Sequence, residues 1–326
     1  MSIILLLLSV LCASVPMVCF VAVAWWLDRY DREPLWLVAL VFLWGAIGAI
    51  AGALATGLPL MLVLTLAAGT EAATTMAPIF IAPLTEEVTK GIVLFAVVRS
   101  RHFDNVTDGF VYGAAAGLGF GMTENFMYFL GSIDQGAVVW LQVVLIRTFF
   151  TAVMHATATA TVGAAIGFAR YRRAVPKLAC LATGLSLAIG MHAVWNGLIV
   201  ATVHTDSAAL TLANFGILGL EVLVVAAVFL FSIHSEKSMI RRHLQAEATS
   251  GLLPSAHASV LASVVARNKK GWLEPGIPQG PYVQAATQLA FKLEHARIAP
   301  RRRKGPLLEE AVALRAQVAR LRSGAA

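Results

Sequence analysis

Seven stretches of this chain are long and apolar enough to cross a lipid bilayer, and that leaves few folds open. They fall at about 3–27, 35–57, 72–98, 108–131, 137–169, 178–202 and 210–234. A hydrocarbon core of ~30 Å takes about 20 residues of helix. Inside it every backbone N–H and C=O must find a partner within the protein. The expected fold class is therefore all-α: a polytopic membrane helix bundle of about seven transmembrane helices. Residues 59–68 are apolar but too short to span, and are expected as a short re-entrant or interfacial segment. Only 13% of the 326 residues are charged and 58% are hydrophobic, against roughly 25% and about 45–50% in soluble domains. A soluble globule, a disordered chain, a fibrous protein and a nucleic-acid-binding module are excluded as the main body.

Charge divides the chain in two. Residues 1–234 carry 10 Lys and Arg against 12 Asp and Glu, whereas 235–326 carry 15 against 6. The division predicts a membrane domain, 1–234, and a basic helical cytoplasmic tail, 235–326. Basic residues also alternate between the loops. They occur at Arg29 and Arg32, at Arg99 and Arg101, at Arg170, Arg172, Arg173 and Lys177, and in the tail, while 58–71, 132–136 and 203–209 have none. The positive-inside rule then places the N-terminus outside and the C-terminus in the cytoplasm of a multi-pass cell-membrane protein. Residues 1–2 lack a basic n-region, so the first span is expected to be retained rather than cleaved. Cys12, Cys19 and Cys180 show no metal or redox spacing and are expected as small apolar packing residues.

The tail has helical stripes of its own. One comprises His257, Val260, Leu261, Val264 and Val265, and another Val283, Ala286, Ala290 and Leu293. A third comprises Leu307, Ala311, Leu314, Val318 and Leu321. Pro254, Pro281 and Pro306 sit near the three expected starts. These stripes suit a small helical cytoplasmic region, a coiled-coil site for a cytoplasmic partner, or helices lying on the membrane. The run 301–304 suits lipid or water rather than nucleic acid.

The residues that do not belong in lipid carry the functional argument. Glu86, Glu87, Lys90, Glu124, Arg147, His155, His192 and Glu221 all fall inside spans. A charge at mid-bilayer costs about 2.5–3.5 kcal/mol on insertion scales, so clustered intramembrane ionisables mark a site. Lys90 stands at i+4 from Glu86 and i+3 from Glu87, where it can neutralise either carboxylate. His192 and Asn196 are i,i+4, so imidazole and carboxamide share a face. That pair suits donating to an oxyanion or holding a metal or water. Arg147 and Glu221 are expected to be structural, pairing across helices. Gly109, Gly113, Gly117 and Gly121 form a stripe for close helix packing.

These residues resemble the PrsW family of intramembrane proteases, within the larger group of CAAX prenyl proteases and bacteriocin-processing relatives. Glu86-Glu87-Val88-Thr89-Lys90 looks like its EExxK motif, and Tyr30-Asp31-Arg32-Glu33-Pro34 resembles its first cytoplasmic loop. Asp108-Gly109, then Gly117-Leu118-Gly119-Phe120 and Glu124-Asn125, resemble its second motif. His155-Ala156 resembles the third, and His192-Ala193-Val194-Trp195-Asn196 is similar to HxxxN. The likeness covers about 28–200 and not the tail.

The resemblance implies an intramembrane endopeptidase acting on membrane-anchored proteins, anti-sigma factors being the known kind of target. Its implied catalytic set is Glu86, Glu87, Lys90, Glu124, Asn125, His155, His192 and Asn196. Two mechanisms stay open. In one, Glu86, assisted by His155, activates water while Glu87 and Lys90 tune it and His192 and Asn196 stabilise the oxyanion. In the other, Glu86, Glu124, His155 and His192 supply metal ligands, with zinc as the metal. No other cofactor site is expected. The partners implied are a membrane-anchored protein substrate and the lipid bilayer. Hydrolysis further requires a wet cavity among the third to sixth spans. The alternatives are a proton- or ion-coupled transporter, since Glu/His/Lys clusters also relay protons, and a CAAX-type prenyl protease. A non-catalytic membrane scaffold is a third reading.

Overall fold

A helix satisfies its own backbone, so an apolar chain in lipid has reason to fold as little else. The computed structural model describes residues 2–100 and 102–324; Arg101 lies outside the described residues. Among the described residues there are eleven α-helices and no strand. The first seven are α1 (Ser2–Leu27), α2 (Leu35–Ala68), α3 (70–97), α4 (Val106–Ser132), α5 (Ala137–Ala169), α6 (Ala174–Thr205) and α7 (Ala208–Thr249). Four shorter helices follow: α8 (Ser255–Leu261), α9 (Val264–Arg267), α10 (Gln279–Ile298) and α11 (Arg301–Arg322). Helices α1, α2, α5, α6 and α7 are each long and apolar enough to cross a membrane. This is a polytopic membrane protein. Only 6% of the most apolar window of α7 is buried, so its apolar surface is left for lipid.

The sequence predicts seven spans. The two beyond these five, α3 and α4, are also long helices, but charged and glycine residues dilute their apolar character. Residues 59–68 are not a separate segment. They continue α2, which runs 34 residues through Pro59. Thr56 Oγ1 donates to the carbonyls of Gly52 and Ala53 just before the proline. The helix ends only at Gly69, where φ is +86°, a value that glycine adopts without strain.

Three of these helices contain a π turn: Trp44–Ala49 in α2, Ala77–Ile81 in α3 and Arg147–Thr151 in α5. Each adds a residue to a turn and shifts the hydrogen-bond register.

The chain divides into two compact units. Unit 1 comprises Met1–Leu27, Glu33–Phe168 and Leu178–Phe229; unit 2 comprises Asp28–Arg32, Ala169–Lys177 and Leu230–Ala326. The main core of unit 1 joins Leu37 and Val41 of α2, Leu94 of α3 and Tyr112 of α4 to Met154 and Ala158 of α5. The glycine stripe of α4 lies against α5. A Cβ on Gly117 would overlap the His155 carbonyl, and one on Gly113 would meet Thr159. Backbones can approach this closely only where side chains are absent. Asn105 and Asp108 form a capping box at the start of α4, satisfying N–H groups that a helix terminus leaves bare.

In unit 2, Tyr30, Ile240, Leu244, Leu261, Tyr282 and Phe291 share a core. Arg267 donates to the carbonyls of Arg29 and Tyr30 at 2.7 and 2.8 Å. The expected loop motif is therefore split. Tyr30 packs in unit 2, whereas Glu33 accepts from the Tyr112 hydroxyl in unit 1. The first tail stripe is broken, because Ser263 caps a new helix between Leu261 and Val264 and leaves Val265 exposed. The third helix begins at Arg301, which leaves Pro306 inside it, past the first turn. Leu307, Ala311 and Val318 of its stripe are buried.

Candidate active site

Lys90 is the centre of the buried charge in unit 1. Threonines 85 and 89 flank Glu86 on α3 and turn their hydroxyls back onto α3 carbonyls, which leaves the charged face to Glu86, Glu87 and Lys90. The Lys90 ammonium is fully buried and sits 3.9 Å above the Phe120 ring. Its partners are Glu87 Oε1 at 2.8 Å, Glu86 Oε2 at 3.3 Å and His155 Nδ1 at 2.8 Å. Three N–H groups meet three acceptors, which uses everything an ammonium can offer.

Hydrogen-bond logic then sets both imidazoles. Lys90 can only donate, so His155 Nδ1 accepts and the ring proton lies on Nε2. That proton goes to Glu124 Oε2 at 2.7 Å. Glu87 can only accept, so His192 Nδ1 donates to it at 3.0 Å. The Nε2 lone pair of His192 is left facing Glu86 Oε2 at 3.9 Å, too far for a direct hydrogen bond and suited to an intervening water. Glu87 also accepts from Thr159 Oγ1 at 3.0 Å.

Glu86 and Glu87 are adjacent yet live differently. Glu87 is fully buried, with Lys90, His192 and Thr159 as donors. Glu86 is 14% exposed and lines a cavity of about 520 Å³. Glu124, Arg147, His155, His192 and Asn196 line the same space. A cavity thus lies among the third to sixth expected spans, but α2 supplies a further wall through Ala53, Gly57 and Met61. Met61 belongs to the segment that the sequence sets apart as re-entrant.

Several residues take other partners than the sequence suggests. Glu86 faces His192, while both ring nitrogens of His155 are engaged. His192 and Asn196 do not converge on one acceptor, because Asn196 Nδ2 reaches the Pro78 carbonyl at 2.8 Å. Arg147 does not pair with Glu221. It lies 2.8 Å from Glu124 and lays its guanidinium 3.6 Å from the Tyr128 ring centre. Arg147 Nε donates to Asn125 Oδ1 at 3.1 Å, and Asn125 Nδ2 returns a bond to the Arg147 carbonyl. The sequence therefore missed Arg147, Tyr128 and Thr159. Arg147 had a signal, since it is an arginine inside a span; a threonine among many had none.

Three carboxylates, Glu86, Glu87 and Glu124, face two basic side chains, Lys90 and Arg147. With both imidazoles neutral the cluster holds one uncompensated negative charge, which a low-dielectric site tolerates poorly. A proton would balance it, and a divalent cation would turn it to a single positive charge. Ligand atoms of Glu86, His155 and His192 all lie within 4.8 Å of one another. Two imidazoles and a carboxylate match the protein ligands of catalytic zinc. The Glu87–His192 contact matches the carboxylate that orients a metal-binding imidazole. The donor types therefore fit a metal, with His155 joining only on giving up the Nε2 proton that it holds against Glu124.

Comparison with known proteins accords with this chemistry. A family model described as PrsW family intramembrane metalloprotease matches residues 33–233. Protease PrsW of Geobacillus kaustophilus (strain HTA426) is 30% identical over 177 residues, covering 53% of this chain and 72% of that protein. Protease PrsW of Bacillus subtilis (strain 168) is 28% identical over 118 residues, covering 36% of this chain and 51% of that protein. No solved structure matches. The matched region ends before the tail helices α8 to α11.

Proposed function

The chain belongs to the PrsW family of intramembrane metalloproteases, and from that premise we propose that it cleaves membrane-anchored proteins, such as anti-sigma factors, with Glu86 as the water-activating base. The observation that carries this reading is the contrast between the two neighbouring carboxylates. Glu86 reaches the cavity and shares Lys90 at the longer distance, whereas Glu87 is consumed by buried donors.

Water between Glu86 Oε2 and His192 Nε2 gives a proton to Glu86 as its oxygen attacks the peptide carbonyl. The same proton then passes to the departing nitrogen, which leaves as an amine, and the new carboxyl group stays with the other fragment. Glu87 holds the His192 proton on Nδ1, so Nε2 keeps its lone pair for that water. Lys90 pairs with Glu87, and the Glu124–Arg147 pair holds His155 in its tautomer. In the metal-dependent alternative, Glu86, His192 and a His155 released from Glu124, with Glu124 beside them, would instead hold a divalent metal, whose chemistry is to polarise the carbonyl and acidify water.

The finer topology belongs to the same reading. Helices α3 and α4 also cross the bilayer, giving seven spans, with the N-terminus outside and the tail, 235–326, in the cytoplasm. The tail is a separate helical region that meets a cytoplasmic partner. Support comes from helix length, ~40 Å for the 27 residues of α4, and from the alternating basic loops.

The test is purified protein in liposomes with labelled anti-sigma factors and a prenylated CAAX protein, with and without chelator, fragments being read by mass spectrometry. Wild type should cut the anti-sigma factor, and Glu86→Gln and His192→Ala should not, while both variants stay membrane-inserted. Cleavage by both variants at the wild-type rate overturns the site, and cleavage of the prenylated protein alone overturns the substrate class.

A further inference from the structure

The carbonyl of Pro78 has lost its helical donor for a reason written in the sequence. In the π turn Ala77–Ile81, the N–H of Ala82 closes onto the Ala77 carbonyl, five residues back. In an ordinary α-helix that N–H would serve Pro78. The next bond in the π register would come from residue 83, which is also a proline and has no N–H. Both local donors are therefore gone. In lipid no solvent replaces them.

Asn196 of α6 fills the gap, donating from Nδ2 to the Pro78 carbonyl at 2.8 Å. One turn earlier on the same helix, His192 donates to Glu87 at 3.0 Å. These two bonds tie α6 to α3 at points that bracket Glu86 along the chain. One of the two carboxamide protons is thereby already in use, and the bond fixes where the other can point. The neighbourhood repeats the device. Asn125 donates to the Arg147 carbonyl and Thr123 to the Ala46 carbonyl, each acceptor lying in one of the other two π turns.

We infer that Asn196 is a positioning residue that stands in for the N–H missing at Pro83, fixing the rotation of α3 and with it Glu86, rather than a donor to the reacting carbonyl. This rests on Glu86 being the base. It makes Asn196 and Pro83 an energetically coupled pair, although no bond joins them, because both act on one carbonyl.

The experiment is a double-mutant cycle of Asn196→Ala and Pro83→Ala, in purified full-length protein, read twice. On peptide cleavage, Asn196→Ala alone should lower kcat by about 10²-fold, the scale of a small misplacement of a reacting group. Adding Pro83→Ala supplies a new backbone N–H and should restore kcat to within about tenfold of wild type, with little change in KM. On thermal unfolding in detergent, Asn196→Ala should lower the midpoint by about 2–4 °C, and much less in the Pro83→Ala background. No rescue of cleavage, together with equal unfolding shifts in both backgrounds, would overturn the inference and leave Asn196 a direct donor. The unfolding cycle needs no substrate, so it decides the matter even if wild type cuts nothing, an outcome that would count against the proposed substrate instead.

Discussion

Two charge networks of similar make-up occupy the two units, and they differ in access to water. In unit 1, Lys90 gathers Glu86, Glu87 and His155. In unit 2, Glu294 gathers Arg242, His243 and Arg297. The Lys90 side chain is 0% exposed, whereas Arg242 and Arg297 are 59% and 60% exposed. Buried charge has no substitute partner, so each member of the first network depends on the others. Solvated arginines can exchange a carboxylate for water at little cost. The same residue types thus make a buried cluster in one place and a surface trim in the other.

The sharpest way to break this contrast is Lys90→Met. It strands Glu87 beside His192 without a cation, and removing one partner of a buried pair costs about 3–5 kcal/mol. Folded protein recovered from membranes should fall steeply and cleavage should vanish, whereas Arg242→Gln should be recovered like wild type. Equal yields and unfolding midpoints for the two variants would remove the distinction. Glu86→Gln comes next and separates function from stability inside the first network. Its pair with Lys90 is the longer one and its side chain reaches the cavity. Cleavage should drop by about 10²–10⁴-fold, the range for a lost general base, while the unfolding midpoint stays within a few degrees of wild type.

Glycines extend the comparison from charge to packing. Gly117 lies against the His155 backbone, but Gly305 of α11 has open space around its missing Cβ. Gly117→Ala should destabilise by about 1–3 kcal/mol, as overpacking does, and should lower cleavage because α5 carries His155. Gly305→Ala should stabilise by up to about 1 kcal/mol through helix propensity. Chemical denaturation of both variants checks the signs, and a stabilising Gly117→Ala would refute the close approach.

What the sequence disclosed follows the same line between rule and geometry. Glu86, Glu87, Lys90, Glu124, His155 and His192 were legible because lipid makes any such residue conspicuous. The partners were not. Choosing Arg147 for Glu124, or His192 rather than His155 for Glu86, depends on helix rotation, and π turns at 77–81 and 147–151 shift that rotation just before the site residues. The continuity of α2 through Pro59 was hidden because proline usually breaks a helix. The break at Ser263 was hidden because its apolar stripe runs on regardless. Tyr30 and Glu33 look like one motif, yet their side chains serve separate units.

The smallest expected effect lies in the tail and tests the solvated half of the comparison through pH. Hydrogen bonds from Arg297, with His243 and Arg242 nearby, pull the Glu294 carboxyl down to about 2, against partial burial that raises it. A carboxyl depressed in the folded state lends stability above its unfolded value, near 4.5, and loses it as pH falls through the folded one. The midpoint difference between wild type and Glu294→Gln should therefore be steady above about pH 5 and shrink toward zero by about pH 2. With both arginines mostly in water, its size should stay near or below about 1 kcal/mol. It should shrink again in 1 M salt, where the screening length is about 3 Å. A difference that ignored both acid and salt would mean that Glu294 is held by packing, and the exposed network would then resemble the buried one more than its exposure allows.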